Sequence, residues 1–245
     1  QAGYVISAYA MGVVVGAPLI AIAGAKASRR SLLLILMSVF TVGNLASAMA
    51  PDFLSFTVLR FLTGLPHGAY FGVSALVAAS LVPVQMRAQA VGYVMMGLTV
   101  ATLLGTPVMA YFGQSLNWRV LFLSVGVIGA ITVTLIWLYL PRDKPSEGAT
   151  VMRELVAFTH PQVLLTLTLA ATGFGGMFSI FSYIAGTATE VANMPAGMVP
   201  VIMALFGVGM NVGNVVGSKL ADIALMGTIG GMLVFNIVVM TLFSV

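Results

Sequence analysis

An arginine and a histidine stand seven residues apart in LRFLTGLPHGAYFG, Leu59–Gly72, inside an apolar run from about Phe53 to Val82. A guanidinium can hold a carboxylate or phosphate in a planar fork, and an imidazole exchanges its proton near neutral pH. On a helix of 3.6 residues per turn a separation of seven brings the two side chains within about 20° of each other. Phe71 continues the same stripe. Ionisable groups in an apolar span mark substrate and ion pathways, so Arg60 is expected to face water, where it holds an anion or sets the field on a proton site. Two plainer readings compete. Arg60 lies about seven residues, or roughly 10 Å, from the end of its span, so its stem could carry the charge to the interface. His67 could simply hydrogen-bond a neighbouring helix, close to the carbonyl that Pro66 frees.

The polar side chains most able to line a substrate path are Thr166, Thr172, Ser179, Ser182 and Tyr183 in one segment and Asn211 and Asn214 in the next. Ordinary interhelical hydrogen bonding competes for each of them. Enzymatic chemistry finds little here. The two histidines, His67 and His160, are far apart in the chain and no acid accompanies His67 in its span. Cysteine is absent, which excludes disulfides and thiolate metal sites, and the sixteen methionines are scattered. No enzyme, cofactor or metal site is expected.

The elements that must hold these residues lie in lipid. Sixty per cent of the 245 residues are hydrophobic, 7% are charged and the mean hydropathy is +1.10. The net charge of +4 is spread over short loops, so nucleic acid is not an expected partner. A span of about 19 residues crosses the bilayer core. Eight apolar segments are that long, at approximately 3–25, 31–50, 53–82, 87–113, 119–140, 161–187, 196–221 and 226–245. Eight of the ten basic residues fall in alternate loops: Lys26, Arg29 and Arg30; Arg87; Arg142, Lys144 and Arg153; and Lys219. The loops at 26–30, 83–87, 142–160 and 219–226 are therefore expected in the cytoplasm. Arg119 lies in an opposite loop, and Arg60 in none.

The chain also repeats itself. Gly12 and Gly16 of the first segment return as Gly209 and Gly213 in the seventh, each 197 residues on. The rows Gly64/Gly68/Gly72 and Gly209/Gly213/Gly217 are expected to be helix-packing faces. Linking the first segment to the seventh implies a six-helix unit used twice. The expected division is 1–141, a half lacking its first helix; 142–160, a cytoplasmic linker; and 161–245, the first three helices of the other half. One span is then expected before Gln1 and three after Val245.

Two six-helix halves joined by such a loop resemble the major facilitator superfamily. The family's loop motif after its second and eighth helices is visible in GSKLADIALMG, which keeps Leu220, Ala221 and Asp222 with Ser218 where glycine is usual. GAKASRRSLLL keeps Lys26, Arg29 and Arg30 but has Ala25 in place of the acid, and positions 25 and 222 are again 197 apart. Arg60 and Gly64 are similar to the fourth-helix motif of the drug and sugar efflux branch. GLTVATLLGTPVMAYFG resembles a degraded antiporter motif of its fifth helix, with Gly97, Gly105 and Pro107 retained. NWRVLF also matches that branch, and the nearest resemblance is to the arabinose-efflux-type permeases.

The resemblance implies an all-α, polytopic transmembrane bundle of the major-facilitator fold, showing about eight helices equivalent to the second through ninth. It implies a proton-coupled exporter of a small molecule, whether sugar, nucleoside or drug-like, working as a monomer by alternating access in the inner (plasma) membrane. Its expected partners are the lipid bilayer, the substrate and protons. By resemblance Lys26, Arg29, Arg30, Gly64, Gly97, Gly105, Pro107 and Asp222 are conformational motifs, and the loop charges latch the halves. Asp222 could accept hydrogen bonds from a neighbouring helix N-terminus or pair with a base. A transporter-derived sensor or scaffold, or an uptake facilitator of the same fold, is the alternative. None of the six acids lies at mid-span, so a proton-carrying carboxylate is expected elsewhere in the protein.

Overall fold

In hydrocarbon a backbone can satisfy its polar groups only internally, and these apolar runs accordingly become helices. The computed structural model describes residues 2–24, 26–105, 108, 117–143, 156 and 159–243. Its long helices are α1 (Ala2–Gly24), α2 (Arg29–Ala48), α3 (Phe53–Ser80), α4 (Arg87–Val100), α5 (Trp118–Tyr139), α6 (Pro161–Gly186) and α7 (Val199–Phe243). A π-helical turn, Ala101–Gly105, extends α4, and another, Thr187–Val191, extends α6. Seven helices among the described residues are long and apolar enough to cross a membrane.

Local side chains set the starts. Ser31 N donates to Ser28 Oγ at 3.2 Å before α2, and Arg119 N to Asn117 Oδ1 at 3.0 Å before α5. Asp52 caps α3, receiving Ser55 N at 2.8 Å and Ser55 Oγ at 2.6 Å. These bonds hold its carboxyl below the usual carboxylate range. His160 accepts from Gln162 N at 3.3 Å, with Pro161 in the first turn, where a missing N–H costs nothing.

The 45 residues of α7 would measure about 67 Å if straight, roughly twice the hydrocarbon thickness. The helix breaks at Ala224, whose φ of −149° and ψ of 79° are not helical. A Cβ on Gly217 would lie 2.8 Å from Met232 Cε, although fifteen residues of straight helix would separate them by about 22 Å. Residues 199–223 and 225–243 therefore fold back as a hairpin. The described residues thus hold eight helical limbs, the last two meeting at a single broken residue rather than a loop.

One compact unit comprises 1–77 and 108–159. Its helices touch through glycine: a Cβ on Gly12 would strike Phe61 O, on Gly16 the backbone of Leu65, and on Gly64 the carbonyl of Tyr9. Thus α1 and α3 meet backbone to backbone. Against α2, Gly126 and Gly129 of α5 accept the side chains of Leu45 and Thr41. The buried hydroxyls and amide bond carbonyls of their own helices: Thr41 to Met37 at 2.7 Å, Asn44 to Phe40 at 2.8 Å, Ser47 to Gly43 at 2.7 Å and Thr63 to Leu59 at 2.6 Å. That economy lets them pack in a dry interior.

The other compact unit comprises 78–107 and 160–245. Here α4 runs along the first limb of α7, with Gly92 against Ser218 and Gly207 against Leu103. Phe181 of α6 meets Phe206 at 5.0 Å between ring centroids. Of the glycine rows, Gly64, Gly68 and Gly217 pack against other helices, whereas Gly72, Gly209 and Gly213 have no neighbour within 4 Å among the described residues. Grouping by contact thus puts α4 with the C-terminal helices, a partition different from the division at 142–160 expected from the sequence.

Candidate functional site

In the first unit four helices converge on Arg60. Its guanidinium carbon lies 4.7 Å from the centre of the Tyr9 ring of α1 and 5.0 Å from that of Phe122 of α5. Nη1 donates to Asn44 Oδ1 of α2 at 3.5 Å, and Asn44 is 1% exposed. Nε is buried without a hydrogen-bond partner. Rings on two sides and an amide at the edge hold the head inside the helix cluster, unlike a snorkelling head released into water. Of the described carboxylates of this unit, Asp52 binds Ser55, and Asp143 binds α2 as described below.

His67 lies two turns further along α3 and meets the same α1 residue: its Nδ1 is 2.7 Å from Tyr9 Oη. The imidazole stands edge to face with Phe71 at 5.0 Å and tilted against Phe40 at 6.3 Å. Arg60, His67 and Phe71, expected together from their spacing, do form one cluster. Tyr9, Phe40, Asn44 and Phe122 join it from three other helices. Asn44, an amide in an otherwise greasy run, was the available signal; the aromatic partners carry none that distinguishes them from ordinary apolar residues.

The polar residues of the second unit are spent differently. Asn214 Nδ2 donates to Gly92 O at 2.8 Å, and Asn211 Oδ1 accepts from Thr99 Oγ1 at 2.8 Å. Both asparagines thereby bind α4. Tyr183 is 74% exposed. Thr166, Thr172 and Ser179 each bond a carbonyl one turn back in α6.

At the basic ends of the helices, two carboxylates do the same job. Asp222 accepts from Ala88 N at 2.8 Å and Gln89 N at 2.9 Å, closing the start of α4. Of the two roles open to it in the sequence, the geometry is that of the helix cap. Asp143 accepts from Arg29 N at 2.7 Å and Arg30 N at 3.1 Å, closing the start of α2. Each carboxylate meets two of the unpaired N–H groups at the positive end of a helix. For Asp143 burial pushes the pKa up, but the N–H groups of Arg30, Arg29 and Asp143 itself and the Ser28 hydroxyl together outweigh it and the net shift is downward. The carboxylate that closes α2 thus comes from beyond the end of α5. Arg30 also donates through Nη2 to Trp137 O at 2.5 Å. Lys26 is exposed. Among the described residues, a Cβ on Gly97 would meet nothing within 4 Å and one on Gly105 would meet Ala101 of its own turn. Ala25, Pro107, Lys144 and Arg153 lie outside the described residues.

Comparison with known proteins places this architecture. The profile of the Major Facilitator Superfamily matches residues 1–245. The inner membrane transport protein YdhP of Escherichia coli K12 is 40% identical over 239 residues, 98% of this chain and 61% of the relative. The putative transporter AraJ of the same organism is 34% identical over 222 residues, covering 90% of this chain and 56% of the relative. A probable sugar efflux transporter of Helicobacter pylori 26695 is 26% identical over 212 residues, 86% of this chain and 54% of the relative. The chain therefore spans roughly three fifths of the length of the first of these relatives. With a full-length profile match, membrane-crossing helices throughout and a 40% identical transport protein, it is a multi-pass membrane protein that belongs to the Major Facilitator Superfamily.

Proposed function

We propose that the whole protein is a secondary active transporter that exports a small molecule, a sugar, nucleoside or drug-like compound, in exchange for protons. Two six-helix halves rock around a central site, as the 197-residue repeat and the break at 142–160 support. The observation that carries the reading is Arg60: a cation inside a membrane span, enclosed by Tyr9, Phe122 and Asn44, with no carboxylate paired to it among the described residues of its unit. Its edge is left to bind a substrate oxygen or a carboxylate supplied from elsewhere in the protein. His67, hydrogen-bonded beside it, is the proposed proton carrier, and Phe71 walls the site. Tyr183, Asn211 and Asn214 are proposed along the substrate path, the asparagines at the seam between α4 and α7. Export is supported by the name of one relative, a probable sugar efflux transporter, and proton coupling by the resemblance of Arg60 and Gly64 to the fourth-helix motif of the efflux branch. The basic loops are proposed to face the cytoplasm of a cell with this protein in its inner membrane. There Lys26, Arg29, Arg30 and Asp222 latch one conformation, while Gly64, Gly97, Gly105 and Pro107 let helices slide.

Proton-gradient-driven flux into proteoliposomes of the full-length protein tests the reading. A lysine keeps the charge of Arg60 but cannot stack as a plane between two rings or offer a forked edge. Arg60→Lys is expected to lower flux at least about tenfold at matched protein content, the size of one lost charge-assisted bond. Wild-type flux would return Arg60 to a passive charge.

A further inference from the structure

Tyr9 touches both ionisable residues of the cluster, and it does so with different parts of one side chain. Its hydroxyl is 2.7 Å from His67 Nδ1, while the Arg60 guanidinium stands 4.7 Å from its ring centre. Glycine contacts fix its place: Gly64 of α3 packs on the carbonyl of Tyr9 itself, and Gly12, one turn on, packs on Phe61 O. The phenol is therefore held against α3 by backbone, not only by its own side-chain bonds.

The hydrogen bond has a preferred direction. A phenol O–H is a stronger donor than an imidazole N–H, and an imidazole nitrogen is a better acceptor than a phenol oxygen. A cation beside the ring draws electron density from it and strengthens the O–H donor further, since bonds in such a chain polarise one another. We propose that Tyr9 is a positioning residue of the Arg60–His67 site: its hydroxyl donates to His67 Nδ1, fixes the imidazole as the Nε2–H tautomer, and links the histidine electronically to the arginine. With His67 neutral, the site presents two kinds of donor, the guanidinium edge and His67 Nε2–H, so it takes a hydrogen-bond acceptor, such as a carboxylate or other oxygen-rich group of the substrate. The proposal rests on the transport-site reading. The groups that face His67 are Tyr9 from α1, Phe40 from α2, and Arg60 and Phe71 from α3.

The test uses full-length protein labelled with ¹⁵N-histidine in lipid, with the His67 signals assigned by their loss in His67→Gln. Tyr9→Phe keeps the ring and its contact with Arg60 and deletes only the oxygen. The wild type is expected to show a protonated Nε2 and an unprotonated, hydrogen-bonded Nδ1. Tyr9→Phe is expected to give a mixture of tautomers, an altered pH profile and about a three- to tenfold loss of flux, the size of one neutral hydrogen bond. Arg60→Gln, which takes the charge from the Tyr9 ring, is expected to move the same signals in the same direction by less. A wild-type imidazole protonated at Nδ1, or signals unchanged in Tyr9→Phe, would overturn the proposal. Wild-type flux in Arg60→Lys and His67→Gln together, with the tautomer still set by Tyr9, would instead remove the transport-site reading and with it the positioning role in transport.

Discussion

At the scale of single residues, His67 is the side chain whose role the cluster leaves most open to experiment. A histidine that only packs will, when replaced, lower expression or change nothing, whereas one that carries a proton imprints its titration on the transport rate. His67→Gln in the full-length protein is expected to shift or flatten the pH profile of flux while the protein still reaches the membrane; an unchanged profile would leave His67 a packing residue. The spacing of Arg60, His67 and Phe71 made their shared stripe legible, because seven and four are near multiples of a helical turn. Tyr9 and Phe122 were not legible. In a soluble protein an amphipathic stripe tells which face of a helix is buried, but in lipid the outward face is as apolar as the core, so the rotation of α1 and α5 leaves no mark in hydropathy.

Among the elements, α1 and α3 touch backbone to backbone, and their contact lends itself to a simple comparison. A methyl at Gly12 must displace the backbone oxygen of Phe61, which no rotamer change can relieve, while Gly72 on the same α3 row has open space around it. Gly12→Ala is expected to cost about 1–3 kcal/mol, as overpacking of a tight core does, and Gly72→Ala to cost almost nothing. Unfolding in mixed micelles would measure both, and equal stability of the pair would contradict the packing. The cap on α2 adds a pH dependence. The carboxyl of Asp143 sits below its unfolded value of about 3.9. Its contribution is therefore fully present above that value and is lost as the pH falls through the lower folded value. Asp143→Asn is expected to lower thermal stability at pH 6–7 and to flatten its decline in acid; a parallel decline in both proteins would clear Asp143 of that role. The breaks between spans were readable from loop residues, and even the last, ADIALMG, marked the reversal in α7. That the chain turns at an alanine was not readable, because neither glycine nor proline signals it there.

For the whole molecule, charge and duplication carry the argument. If the basic loops face the cytoplasm, an Arg29→Cys in this cysteine-free stretch is expected to resist an impermeant maleimide in intact cells and to react once the membrane is opened. Labelling in intact cells would reverse the orientation. The family was legible because its motifs sit in loops and glycine rows that need no tertiary contact to be seen. The source of the acid on α2 was hidden, since Asp143 is separated from Arg30 by 113 positions. That separation has a consequence in time. At roughly 5–20 residues per second of synthesis, Asp143 emerges about six to twenty-three seconds after the helix start it will close. Ser28, three residues from the N–H it caps, is there from the beginning. The nascent α2 thus has Ser31 N capped from the start, while Arg29 N and Arg30 N stay open to water until α5 brings the carboxylate, so the helix start is completed in two stages.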